Sequence, residues 1–281
     1  MSNGHEDTTY TMGRTQAETE RLIRQSRLYS GLTRRMLTEA GLTNGMKVLD
    51  LGSGAGDVAM AAAELVGPKG RVVGVDVNAE ILETARTRVA QAGLEHVEFV
   101  AGDARKLDLD SDFDALIGRF VLMYLPDPAE ALRQLSTRLR PGGIVAFHEI
   151  GFNPNRLPHA IDTPLAHQLV NWTMEVFKRS GAHADLAFRL YGTYVDAGLP
   201  EPRLEYTALG GGEPGWAGYQ YIADSVQSVL PLLEHFGIAT AEEADLATIP
   251  KRLRADVDAT KSPIVLPMTV MAWTRLPVDG G

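Results

Sequence analysis

The sequence predicts an α/β fold: a doubly wound parallel sheet carrying a helical cap. Three observations predict it. First, VLDLGSGAGD at 48–57 is an apolar run that stops at Gly52, Gly54 and Gly56 and passes into alanine-rich helical sequence. Glycines in such a turn admit positive φ and let the backbone approach a ligand, while free amides at the helix start favour a polar or anionic group. Second, strand-like and helical stretches alternate from Lys47 onward, which implies a parallel sheet with helices on both faces. Third, the alternation breaks after Glu149, leaving helical sequence to cover the carboxyl ends of the strands, where ligands of such sheets bind.

Strands are expected at 47–51, 71–76, 96–100, 113–118 and 144–149, and helices at 56–66, 79–92 and 128–139. Asn78 caps the second helix and Gly93 ends it; Asp127 and Pro128 start the third, whose Leu132, Leu135 and Leu139 share a face. Pro141-Gly142-Gly143 then stops it. Ahead of this core, Thr15 and Glu18 form a capping box for one helix, and Leu32, Met36 and Leu37 point to a second before Gly41. Past the core, helices are expected at 163–180, 185–197, 216–236 and 241–258, a strand in PEPRLEYT, and a last strand from Ile264 to Leu276. The organisation is therefore an N-terminal helical lid at 1–45, a core at 46–150, and the rest of the core at 151–281 with cap insertions at 151–183 and 211–260.

Composition narrows the function. A chain of 281 residues bounds one large domain or one with insertions. A net charge of −9 argues against a broad nucleic-acid or anionic-membrane surface. There are no cysteines, so disulfides and thiolate metal sites are excluded. No apolar run is long enough to span a bilayer, and MSNGHEDTTYT lacks a signal-peptide core, so a cytoplasmic location is expected. No histidine–carboxylate spacing marks a metal site.

Several residues can carry chemistry. Asp76 ends the second strand, 22 residues past Gly54, where a carboxylate can accept both hydroxyls of a ribose; the plainer role is a turn or cap. Asp103 and Ala104 follow the third strand, where an acid beside a backbone amide can bind adenine, with Val77 and Ile81 as apolar contacts; Asp103 also fits an ordinary turn. Arg119 and Phe120 end the fourth strand, and Arg119 can pair with a ligand carboxylate or with a nearby acid. Met123 and Tyr124 line the pocket or pack beside it. Glu149 is favoured over His148 as a base at the end of the fifth strand, because alternation sends their side chains to opposite sides. His148 also fits a buried, hydrogen-bonded histidine; His159 and His167 fit surface or packing roles in the cap. Cap aromatics fit either core or an apolar acceptor pocket. Among them Trp216, after the flexible GGGEPG, is expected to touch substrate, with Trp172 and Tyr124 as further candidates.

Together VLDLGSGAGD, Asp76, the GDA at 102–104 and LRPGGIVAFHE resemble class I S-adenosylmethionine-dependent methyltransferases over about residues 45–150, and VMAWTRL resembles their last strand. The resemblance implies a Rossmann-like sheet of seven strands, the last antiparallel, with S-adenosyl-L-methionine as cofactor. It implies that Gly52, Ser53 and Gly54 face the methionyl part, Asp76 holds the ribose, and Asp103 with Ala104 holds the adenine. Arg119 and Phe120 would border the methionine and the transferable methyl. RLIRQ at 21–25 resembles a segment of bacterial small-molecule methyltransferases, some prenyl C-methyltransferases among them, and makes Gln25 and Tyr10 candidates for closing over the cofactor.

The expected activity is in-line methyl transfer to oxygen, nitrogen or carbon of a small molecule of specialised metabolism, with no nucleic-acid or membrane partner; a homo-oligomer is compatible with it. A prenyl or indole C-methyltransferase is a subtype. A nicotinamide-dependent dehydrogenase needs G-x-G-x-x-G, and here Asp57 occupies the third glycine position. A cofactor-binding regulator or cyclisation catalyst would share the same motifs, and transfer of labelled methyl separates it from an enzyme that methylates.

Overall fold

The computed structural model describes residues 16–152 and 163–278. Tyr10, Thr15 and His159 lie outside the described residues, and with Thr15 the expected capping box.

The chain opens with one helix, α1 (Gln16–Ala40), where the sequence pointed to two. Tyr29, Thr33, Met36, Leu37 and Ala40 form a buried face at helical spacing that runs straight past Gly31, so no break is needed. Strand β1 (Lys47–Leu51) leads through the glycine turn to α2 (Asp57–Val66), β2 (Arg71–Asp76), α3 (Ala79–Gln91), β3 (Val97–Ala101) and β4 (Phe113–Arg119). A 3-10 turn, Leu122–Tyr124, precedes α4 (Pro128–Ser136) and β5 (Leu139–Gly151). The Asn78 and Asp127 side chains cap α3 and α4, accepting the Glu80 and Glu130 amides. Leu139 does not extend the helix face of α4. It pairs with Phe113 inside β5, and a register shift between Phe113 and Ala115 absorbs Pro141-Gly142-Gly143 before regular pairing resumes at Ile144.

The rest of the chain forms α5 (Pro164–Arg179), α6 (Leu190–Asp196), β6 (Arg203–Thr207), β7 (Gly210–Gly211), α7 (Ala217–His235), α8 (Ala241–Ala244), α9 (Ile249–Thr260), β8 (Ile264–Val265) and β9 (Met268–Arg275). The expected helix at 185–197 opens as a 3-10 turn, Leu186–Arg189, and the one at 241–258 is interrupted by another, Leu246–Thr248. The expected last strand is two: β8 pairs with β7, and only β9 joins the main sheet.

That sheet has seven strands in the order β3-β2-β1-β4-β5-β9-β6 among the described residues. Strand β9 runs antiparallel to both neighbours; β1 to β5 are mutually parallel. Strand alternation divides the core between the two faces. Val48, Val72, Ile117 and Ala146 pack with α1, α2 and α3 through Leu37, Ala62 and Leu82. Leu49, Val73, Leu116 and Phe147 belong to the other cluster, with Leu132, Tyr194 and the cap helices. The strand order reverses between β1 and β4, and the crevice opens there.

Candidate active site

A cavity of about 460 Å³ lies at the carboxyl ends of β1, β2 and β4, within the range of about 300–1,000 Å³ typical of small-molecule pockets. The glycine turn, Asp76, Val77, Asp103, Ala104, Arg119 and Phe120 contribute to its wall, as do Arg21, Leu22 and Gln25 of α1.

The turn is left-handed at Gly52 (φ 65°), and a Cβ there would sit 2.3 Å from the Val121 side chain. The Gly52 and Ser53 amides both donate to the Val75 carbonyl, at 2.8 and 3.0 Å, tying the turn to β2. This aims the Gly54 amide at Asp76, whose Oδ2 accepts it at 2.9 Å; Oδ1 accepts the Asn78 amide at 2.8 Å. Gly52 and Gly54 line the cavity. Ser53 does not: its buried hydroxyl lies behind the turn, close to Gly74.

Asp103 lines the cavity but is gripped by Arg105, whose Nε and Nη2 donate to its two oxygens at 2.9 and 2.7 Å. Those hydrogen bonds hold its carboxyl below the ordinary range. Val77 is 60% exposed on the rim, whereas Ile81 is buried off the wall.

Arg119 is buried. Its Nη1 donates to Thr33 Oγ1 at 3.1 Å, and its Nη2 lies 3.7 Å from Asp57 Oδ2. Asp57 is shared with Arg88, 2.7 Å away. Burial lowers the Arg119 pKa, and Asp57 and Asp50 oppose that shift. Phe120 follows at φ 54°, an uncommon conformation for a non-glycine residue and one concentrated at functional sites. Its ring stands edge-on to Tyr29, 5.2 Å between centroids. Gln25 reaches across from α1 to α7, its Nε2 donating to the Tyr221 hydroxyl at 3.3 Å, and an Arg24–Asp224 ion pair joins the same two helices. Met123, Tyr124, Phe152, Leu169, Phe177 and Val226 make an apolar side.

A family model described as a methyltransferase domain matches residues 42–190. The chain belongs to the class I S-adenosylmethionine-dependent methyltransferases. The ubiquinone/menaquinone biosynthesis C-methyltransferase of Pseudomonas putida is 34% identical over 148 residues, covering 50% of this chain and 58% of that protein. The chain thus matches about half the length of the curated relatives, 47% in the same enzyme of Pseudomonas savastanoi. Among solved structures, phosphoethanolamine N-methyltransferase 2 of Haemonchus contortus, with phosphomonomethylethanolamine and S-adenosylhomocysteine, aligns with TM-score 0.60 at 15% identity, covering 94% of this chain and 58% of that one. The cyclase SpnF aligns at 0.53 and 21%, covering 89% and 81%. At such identities the two structures share the fold.

Within this methyltransferase frame, the expected base pair sits elsewhere than the sequence placed it. Glu149 and His148 do face opposite ways, but both are fully buried and neither lines the cavity. Glu149 Oε1 accepts the Val121 and Leu122 amides, each at 3.0 Å, so it stitches the loop after β4 to β5. Burial raises its pKa to about 7 against those hydrogen bonds. His148 packs against Phe120 and Tyr29 with Nδ1 3.4 Å from Thr33 Oγ1; burial, then Arg119, pulls its pKa down to about 3. A strand-end acid looks the same in sequence whether it enters the crevice or ties down the loop beside it.

Trp216 and Trp172 also lie off the wall, while Tyr124 lines it. The Trp216 indole covers Gly211 and Gly218 and meets Tyr219 edge-on at 5.3 Å, bracing the β7 turn against α7. The lining residues that sequence reasoning missed, among them Arg21, Thr173 and Ser225, sit on helices. The available signal was polar residues at helical spacing amid apolar ones, as in Tyr221, Ile222, Ser225 and Val226. Among the described residues, no group of three His, Asp or Glu side chains could hold a metal, and no helix is long and apolar enough to cross a membrane.

Proposed function

We infer that the chain transfers the methyl group of S-adenosylmethionine to a small, largely apolar acceptor, and that this acceptor is a hydroxylated ring of the reduced-quinone type, methylated at carbon. The observation that carries the inference is the Gly54 amide–Asp76 carboxylate pair on the wall of a cavity whose other side is apolar and aromatic. The quinol class is supported by the likeness to the Pseudomonas ubiquinone/menaquinone C-methyltransferase; an acceptor from specialised metabolism is the other class the pocket accommodates.

The residues present fit the cofactor. The glycine turn offers backbone without side chains, Asp76 would hold the ribose hydroxyls, Asp103 and Ala104 the adenine, and Arg119 the methionyl carboxylate. When bound, S-adenosylmethionine supplies an electrophilic methyl on a positively charged sulfur. The chain's own work is to position the acceptor in line, about 3–3.5 Å from that methyl, and to keep water out. Phe120 and the Met123–Tyr124 turn supply apolar walls for that step.

Calorimetry with S-adenosylmethionine and S-adenosylhomocysteine, followed by labelled-methyl transfer to a panel of reduced prenylated quinones, phenols and indoles, tests the reading. Binding and incorporation into a quinol are expected. Binding without incorporation into any acceptor would favour a cyclase or regulator; no binding would sink the cofactor assignment.

A further inference from the structure

Tyr221 connects the two helices that meet over the cavity. Helix α7 presents Tyr221, Ile222, Ser225 and Val226 to the cavity. The Tyr221 ring stands edge-on to Tyr29, 6.0 Å between centroids, and Tyr29 in turn meets Phe120. Tyr221 therefore sits one ring away from the residue that follows Arg119. Its hydroxyl oxygen accepts the Gln25 amide. A phenol has a single proton to give, and with Gln25 donating to the oxygen that proton is directed elsewhere. Among the described residues no carbonyl or carboxylate accepts it. Around it stand apolar rings, the Tyr29 hydroxyl, which gives its own proton in a hydrogen bond to Tyr221, and the Arg119 guanidinium.

We propose that the Tyr221 hydroxyl, seated by Gln25, binds an oxygen of the acceptor, so that the acceptor is an apolar ring or enol bearing a hydroxyl beside the atom methylated. The proposal rests on the methyl-transfer reading and names the contact that selects its substrate. Ionisation of that acceptor hydroxyl sends its proton to water and raises electron density at the neighbouring ring carbon. The new carbon–carbon bond forms as the sulfur–methyl bond breaks, and the sulfur leaves as a neutral thioether. The ring carbon then gives up its own hydrogen and the oxygen regains a proton, so one proton is released overall. Tyr221 donates a charge-assisted hydrogen bond to the ionised oxygen, and the Arg119 charge favours the same ionised form. An acceptor lacking the hydroxyl leaves the Tyr221 proton unpaired in an apolar site, which disfavours it.

The test uses the full chain with Tyr221→Phe and Gln25→Leu, an acceptor the wild type methylates, and its analogue lacking the hydroxyl. Tyr221→Phe is expected to leave S-adenosylhomocysteine affinity within about twofold. It should lower kcat/KM for the hydroxylated acceptor by roughly 30-fold, a loss in the range of one buried hydrogen bond. Preference over the analogue should shrink, and the rising limb of the pH–rate profile should move to higher pH. Gln25, a positioning residue, should give a smaller loss with the same pH displacement. Unchanged kcat/KM and pH profile in both variants would overturn the proposal, as would a parallel loss of S-adenosylhomocysteine affinity, which would assign Tyr221 to the cofactor. A wild type that binds no S-adenosylhomocysteine, or methylates nothing, overturns the underlying reading instead.

Discussion

The Glu149 carboxylate and the Val121 amide nitrogen lie 3.0 Å apart, and the same oxygen takes the Leu122 amide. The contact closes a buried loop between β4 and β5 directly behind the cavity wall. It also puts an acid where burial lifts its pKa from 4.5 to about 7. A raised carboxyl pKa means that the folded state holds the proton more tightly than the unfolded chain does. This contribution is therefore complete below about pH 4.5 and is lost as pH rises through about 7, on the order of 3 kcal/mol in all. Glu149→Gln fixes the neutral form. Its melting temperature should match wild type below about pH 4.5, exceed it increasingly up to about pH 7, and keep a constant lead above that. Parallel curves between those two pH values would remove the burial account.

Asp76 is held from both sides by backbone amides, Gly54 at 2.9 Å and Asn78 at 2.8 Å. Asp76→Ala removes the proposed ribose acceptor and lets the glycine turn drift. Hydrogen bonds to a charged group are each worth about 1.5–3 kcal/mol, so S-adenosylhomocysteine affinity should fall about 10- to 100-fold. Calorimetry reads this directly, and an unchanged Kd would contradict the assignment.

Legibility followed locality. The strand–turn–helix at Gly52–Gly56, Asp76 at the next strand tip and Arg119 at the fourth are set by short-range pattern, and each lines the cavity where strand ends were expected to point. Glu149 and Trp216 depended on what lay across from them. Nothing in LRPGGIVAFHE distinguishes a carboxylate aimed at a ligand from one accepting amides 28 residues earlier in the chain. Nothing in GGGEPGW shows that the indole would cover Gly211 and Gly218. The single α1 was hidden because Leu32, Met36 and Leu37 read as a face of their own until Tyr29, Thr33 and Ala40 are seen buried along the same side.

Trp216 provides a test of that bracing. A Cβ at Gly218 would lie 2.3 Å from the indole, and a rigid ring cannot yield as a flexible chain does. Gly218→Ala should destabilise the protein by about 1–3 kcal/mol, the usual cost of overpacking. Trp216→Ala should also lower stability, and in the double variant the two losses should fall short of their sum because they share one contact. Cofactor affinity should stay at the wild-type value throughout. A selective loss of acceptor turnover in Trp216→Ala, with stability intact, would return the indole to the substrate site.

Arg119 is the charged group with the most to lose on substitution. Its guanidinium is anchored by Thr33 at 3.1 Å and faces Asp57 at 3.7 Å, and it lines the cavity. If it pairs with the methionyl carboxylate, affinity should depend on that carboxylate being present. Wild type should bind S-adenosylhomocysteine far more tightly than 5′-methylthioadenosine, which lacks the amino-acid portion. Arg119→Met should narrow the gap by roughly tenfold or more, the scale of a lost charge-assisted hydrogen bond. The variant also leaves Asp57 with Arg88 as its remaining cation at 2.7 Å, so a moderate drop in melting temperature is expected. Because that drop affects both ligands alike, the ratio of the two dissociation constants isolates the carboxylate contact. An unchanged ratio would make Arg119 a purely structural partner of Asp57.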